Sequence, residues 1–210
     1  MPVADGSTAS DATAMRRPGR PRDAHADEAI LDAALAEVTE HGWGRTCIDS
    51  VAARAGVSKA TIYRRWPSKE RLVFDAMLRV SEPIFEPADT GSLRGDLIDQ
   101  LGRVAELVNQ PPGCDLLPQL LAAARVDPEL RELHERASAH RRQLVRVAFV
   151  RAIERGELDA TVDVDTLIDL LAGPVFFRTL FGPGSPDPEF VRVTVDSVLA
   201  AVGARVVTGA

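Results

Sequence analysis

The side chains best placed to do chemistry in this sequence are the cations and hydroxyls gathered between Thr46 and Leu72, TCIDSVAARAGVSKATIYRRWPSKERL. Six basic residues there (Arg54, Lys59, Arg64, Arg65, Lys69, Arg71) stand against two acidic ones (Asp49, Glu70), a local excess of positive charge in a chain of net charge −6. The chemistry such a set performs is anion binding. Lys59 and Lys69 each follow a serine, Ser58 and Ser68, in the first turn of an expected helix, where the macrodipole disfavours a cation. Phosphates of a nucleic-acid backbone docking at these helix starts would remove the conflict. Covalent catalysis has no comparable set: the sequence holds no GxSxG, phosphate loop or HExxH, and His25, His41, His134 and His140 are scattered. Asp163, Asp165 and Asp169 surround a helix start, where acids cap and complement the dipole, so they read as capping residues and not as a metal cluster. No catalytic residue, metal or cofactor is expected, and an enzyme is improbable.

Two short helices with a tight turn must position these side chains. Thr46 precedes an apolar set at Ile48, Val51, Ala52 and Ala55, with Asp49 three residues after it, a capping-box spacing that opens a helix with one buried face. Gly56 can end that helix in a left-handed conformation, Val57 plugs the corner, and Ser58 caps the next helix, Lys59 to Trp66. This is a helix-turn-helix. At 100° per residue Ile62 and Trp66 fall on the inner side and Ala60, Thr61 and Arg64 on the outer side. Trp66 is expected in the core and Tyr63 outside it.

The run AARAGVSKATIYRRWPSKERL resembles the DNA-binding segment of the tetracycline-repressor (TetR) family of bacterial regulators, with the match continuous from Gly56 through Tyr63, Trp66, Ser68, Lys69 and Glu70. The resemblance implies that Lys59, Ala60, Thr61 and Arg64 face the major groove of double-stranded operator DNA, while Tyr63 and Lys69 hold phosphates. With the hydroxyls Thr46 and Ser58 and with Arg20, these form the expected DNA-binding set.

Residues 1 to 15 are small, polar and aperiodic, and disorder is expected there. Arg16, Arg17, Arg20 and Arg22 follow, held extended by Pro18 and Pro21. Their PGRP core resembles the AT-hook motif. They read either as an arm for a narrow minor groove or as a basic leader attracted to any duplex. An amphipathic helix from Asp27 to about His41, with Trp43 as an anchor, completes a three-helix headpiece, and His41 fits the dipole at that helix's end. A fourth helix carrying Leu72, Val73, Ala76, Met77 and Val80 joins headpiece to body and stops before Pro83 and Pro87.

The remainder reads as five more helices: one over Leu93 to Val108, then Asp115 to Arg125, Asp127 to Arg155, Asp163 to Leu180 and Asp187 to Val202. The fold expected is therefore all-α with about nine helices. It divides into a leader and arm (residues 1–22), a helix-turn-helix domain (23–80) and a helical regulatory and dimerisation domain (81–210). Residues 1–80 hold 12 basic and 11 acidic side chains and the rest 13 and 20, so an acidic body would leave only the headpiece drawn to phosphate. The last two helices carry more large apolar groups than one buried stripe needs. A helix-turn-helix reader spans two half-sites, so Leu167, Leu171, Val175, Val191, Val195 and Val198 are expected at a homodimer face. In the family this pair forms a four-helix bundle with its copy, and LLAGPVFFRTLFG looks like the C-terminal pattern of one large branch. Gly173-Pro174 is expected to kink its helix. Leu117, Leu120, Leu121, Phe149, Phe176 and Phe177 are the expected lining of a pocket for a small apolar or amphipathic effector; a regulator without an effector is the alternative. Two cysteines give no disulfide framework, and no apolar run or signal core points to a membrane or to secretion, so a cytoplasmic protein is expected.

Overall fold

The computed structural model describes residues 24–182 and 184–204. They form nine α-helices and a short 3-10 helix, with no strand among the described residues: α1 (Ala24–His41), α2 (Ile48–Ala55), α3 (Lys59–Tyr63), α4 (Lys69–Ser81), the 3-10 turn Glu82–Phe85, α5 (Leu93–Asn109), α6 (Gly113–Val126), α7 (Pro128–Glu154), α8 (Val164–Phe181) and α9 (Pro188–Ala201). The N-terminal leader and the arginine arm, Arg20 included, lie outside the described residues. No helix among the described residues is long and apolar enough to cross a membrane.

The helix starts follow the capping chemistry of the chain. Ser68, Ser92, Asp127, Asp163 and Asp187 each accept a backbone N–H of the following turn, satisfying donors that have no intrahelical partner. Two local expectations need correction. The cap of α2 is Cys47, not Thr46: the Thr46 hydroxyl and N–H both turn back to the Gly42 carbonyl, at 3.0 and 3.2 Å, and Ser50 answers the Cys47 N–H instead. The second helix of the motif also ends early, at Tyr63. Arg65 and Trp66 both donate to the Ile62 carbonyl at 2.9 Å, a tightened turn that still leaves Arg64 near helical dihedrals. Gly56, at φ 66°, closes α2 in the left-handed region, and Val57 N–H reaches the Ala52 carbonyl at 3.0 Å.

Two apolar clusters hold the chain. The first joins Ile30, Ala34 and Val38 of α1, Val51 of α2, Ile62, Trp66, and Leu72 and Val73 of α4, and it extends to Leu116 and Leu120 of α6 and Leu130 of α7. Trp66 anchors it with a polar tie, its indole N–H donating to Asp75 at 2.9 Å. The second packs Leu97 and Leu101 of α5, Phe149 and Ala152 of α7, Leu171 and Val175 of α8, and Val195 and Leu199 of α9.

The residues expected at a homodimer face lie inside the single chain. Leu167, Leu171, Val175, Val191, Val195 and Val198 are all buried within the one chain, Val175 and Val195 completely. They close the body's own core against α5 and α7. The apolar groups that α8 and α9 leave outside are others: Leu170, Phe177 and Phe181, spaced seven and four apart along α8, and Val193 on α9. Phe181 is 77% exposed, and its ring lies 5.7 Å from that of Phe177.

Candidate nucleic-acid interface

The turn at Gly56 and the Ser58 cap set α3 outward from the headpiece. Ser58 accepts the Thr61 N–H at 3.2 Å and shares a 3.0 Å hydrogen bond with the Thr61 hydroxyl, which fixes the first turn. Ile62 is sealed inside, and Ser58, Lys59, Ala60, Tyr63 and Arg64 are exposed around it, with Thr61 half-buried. The short helix and its two caps therefore present a hydroxyl, an ammonium, a phenol and a guanidinium at the surface, together with Ala60.

The cations of this region are mostly engaged within the protein. Arg54 bridges Glu37 and Glu40 of α1, at 2.8 Å to Glu37, and its hydrogen bond holds the Glu40 carboxyl below the ordinary range. Lys59 pairs with Asp49, Arg65 with Asp27, and Arg71 with Asp75 and Glu129. Arg64 makes no ion pair or side-chain hydrogen bond among the described residues. Its charge is free for an incoming group, whereas Lys59 must exchange Asp49 for a phosphate or a base edge. Such an exchange between exposed charges costs little, because a surface pair contributes at most about 1 kcal/mol.

Two residues expected to touch DNA have other partners. Thr46 is 3% exposed, and its hydroxyl and N–H are both directed to Gly42, so nothing of its polar side remains for a phosphate. Lys69 places its ammonium against the Trp43 and Thr46 carbonyls, at 3.1 and 3.3 Å, and over the Trp43 ring at 4.2 Å. A cation at the start of α4 is thus compensated internally by the loop it staples. Lys69→Met, which keeps the apolar stem and removes the donors, should cost about 1–2 kcal/mol of stability, measurable as a lowered Tm in the absence of DNA. An unchanged Tm would return Lys69 to a purely external role.

The expected effector lining divides. Leu117, Leu120, Leu121 and Phe176 border a small cavity of 90 Å³. Phe149 does not, being fully buried in the second cluster, and Phe177 cannot, because it points out of the body. Phe176 faces the cavity, while Phe177, about 100° further round the helix, faces water. The sequence reading missed a larger cavity of 430 Å³ between α5, α7 and α8, bordered by Leu97, Leu101, Val145, Leu171 and Phe176 and by the polar Gln100 and Arg141.

A three-helix head that offers an exposed helix to nucleic acid, carried on a helical body, defines a helix-turn-helix transcription regulator. Comparison with known proteins gives the particular family. The description "Bacterial regulatory proteins, tetR family" matches residues 30–76 and "Tetracyclin repressor-like, C-terminal domain" matches residues 87–198. The chain is 32% identical over 191 residues to the HTH-type transcriptional regulator YdeS of Bacillus subtilis, covering 90% of this chain and 96% of that protein. It is 35% identical over 189 residues to the DNA-binding transcriptional repressor TetR of Mycobacteroides abscessus, covering 84% and 95%. Among solved structures, the TetR family transcription regulator SCO0332 superposes with a TM-score of 0.74 at 32% identity, over 85% of this chain and 98% of that one. The chain belongs to the tetracycline-repressor (TetR) family of DNA-binding transcription regulators.

Proposed function

We propose that this regulator is a homodimeric repressor that leaves its operator when a small apolar or amphipathic molecule enters the body. The observation that carries the reading is the 430 Å³ cavity, which lies in the size range of small-molecule sites and reaches Phe85, in the 3-10 turn that continues α4 out of the headpiece. A ligand there sits beside the segment through which headpiece and body are joined. The 35% identity to a protein described as a repressor supports that direction of control.

In this reading residues 23–80 bind DNA through Ser58, Lys59, Ala60, Thr61, Tyr63 and Arg64, with Arg20 reaching from the arm (1–22), and residues 81–210 regulate and dimerise. The homodimer face is assigned to the exposed apolar groups of α8 and α9, Leu170, Phe177, Phe181 and Val193, which water would otherwise cover. Two copies then place their headpieces on half-sites one helical turn, about 34–36 Å, apart.

A ligand shifts the headpieces only through differential affinity for two states, so compounds that raise the Tm should also lower operator affinity. A thermal-shift screen followed by operator titration of each hit measures both. Stabilising compounds that never change operator affinity would leave a regulator without an effector.

A further inference from the structure

One wall of the large cavity is unlike the rest, and we propose that it selects an effector of one chemical class: an apolar acid whose carboxylate is held by Arg141. The proposal rests on the reading of this cavity as an effector site and deepens it. Arg141, on α7, borders both the 430 Å³ and the 90 Å³ cavity, which also share Phe85, Val104 and Phe176. Its guanidinium lies over the Phe85 ring, 5.2 Å from the centroid, and has no ion pair or hydrogen bond among the described residues. The other arginines along α7 are engaged: Arg131 with the Ala124 and Arg125 carbonyls, Arg136 with Glu132, Arg142 with Asp169, Arg146 with Asp165, Arg151 with the Ala88 carbonyl. Asp169 is the carboxylate in the cavity lining, and Arg142 holds it.

Arg141 is therefore a cation without a counter-ion in a largely apolar wall. Burial pushes its pKa below the usual arginine range, and burial, with the Arg141 charge second, lowers that of His134, which lines the smaller cavity. A desolvated charge left unpaired is costly, and a carboxylate entering the cavity removes that cost. The planar guanidinium also matches a carboxylate with two parallel hydrogen bonds, which a neutral ligand cannot reproduce.

Gln100 adds a second polar group to the same cavity lining. It is 3% exposed, and its amide nitrogen donates to the Phe85 carbonyl at 3.1 Å, while its amide oxygen has no hydrogen-bond partner among the described residues. A carboxylate only accepts, so it pairs with the Arg141 guanidinium and leaves the Gln100 oxygen to a donor such as water, while Leu97, Leu101 and Val145 form the apolar end of the site.

The same residues give the acid a route to the headpiece. Arg141 stacks on Phe85, Gln100 holds the Phe85 carbonyl, and Arg103 donates to the Pro83 and Glu86 carbonyls at 3.2 and 2.9 Å. The 3-10 turn after α4 is thus fastened to α5 by Gln100 and Arg103 and to α7 by Arg141. A carboxylate that draws Arg141 off Phe85 loosens one fastening and frees the turn to shift with α4.

The test compares decanoate with decan-1-ol and decylamine, three probes of one skeleton, on the full chain and on Arg141→Met and Arg141→Lys. Calorimetry, thermal shift and operator titration are the readouts. Decanoate should bind the unaltered protein at least about tenfold more tightly than decan-1-ol and should weaken operator binding. Arg141→Met should lose that preference yet bind decan-1-ol as before, and its ligand-free Tm should stay the same or rise, because an apolar side chain replaces a desolvated charge. Arg141→Lys should keep part of the preference, as a point charge without the planar fork. Decan-1-ol or decylamine binding as tightly as decanoate and releasing DNA would overturn the acid class while leaving the effector reading intact. Decanoate preference surviving in Arg141→Met would overturn the role of Arg141. Failure of every probe to bind would overturn both readings together.

Discussion

Aspartate at Val195 should leave a chain that does not fold, whereas glutamates at Phe177 and Phe181 together should leave a folded monomer. Val195 and Val175 have no exposed surface, and both lie where α8 and α9 pack on α5 and α7. A carboxylate introduced there meets only apolar side chains in the cluster around it, and burying it unpaired costs several kcal/mol, a large share of the roughly 5–15 kcal/mol that holds a domain together. Phe177 and Phe181 lie on the opposite side of α8, in water, and their replacement removes no contact from that cluster. Circular dichroism and sedimentation velocity on the two variants separate the outcomes. A soluble, folded, monomeric Val195→Asp protein would restore the buried valines to the interface, and a double glutamate variant that still sediments as a dimer would place the interface away from these phenylalanines.

The second large effect belongs to Arg64. Arg64→Ala should weaken binding to the operator by about 1–3 kcal/mol and flatten the preference for it over unrelated sequence, because a base-edge contact discriminates and a phosphate contact does not. Its Tm should not move, since Arg64 has no ion pair or side-chain hydrogen bond among the described residues to lose. Tyr63→Phe should weaken specific and non-specific duplexes alike, as the loss of a phosphate contact does. Titrations on operator and scrambled duplexes at two salt concentrations compare the two. An equal loss at every sequence for both variants would take Arg64 out of base readout.

Much of this architecture is legible in the sequence because the helix starts are written in short-range chemistry. Asp127, Asp163 and Asp187 each cap the helix that the apolar spacing predicts, and Gly56 has the left-handed backbone that its place after Ala55 demands. What periodicity cannot assign is a face on a helix that is apolar all round. On α8, Leu167 and Leu171 satisfy an inward stripe as well as Leu170 and Phe177 do, and only the positions of α5, α7 and α9 decide which is inside. Lys69 was legible as a misplaced cation, but the Trp43 and Thr46 carbonyls that compensate it lie 26 and 23 residues away in sequence. Arg141 is hidden for the opposite reason. One more arginine on a helix already rich in them reads as a solvated charge, and its lack of a partner emerges only when α5 and the turn after α4 close around it.

The first apolar cluster bears on how such regulators can be recombined. Leu116 and Leu120 of α6 and Leu130 of α7 pack into the same cluster as Ile62 and Leu72, and Arg71 reaches Glu129 at 3.2 Å. The DNA-reading head is therefore not a detachable cassette. A hybrid that grafts residues 24–81 of this chain onto a foreign body would strand the underside of α4 against a surface not shaped for it. A graft that also carries α6 and the first turns of α7 keeps that seam intact, so the natural joint for exchanging specificities runs through the body and not along the connecting helix.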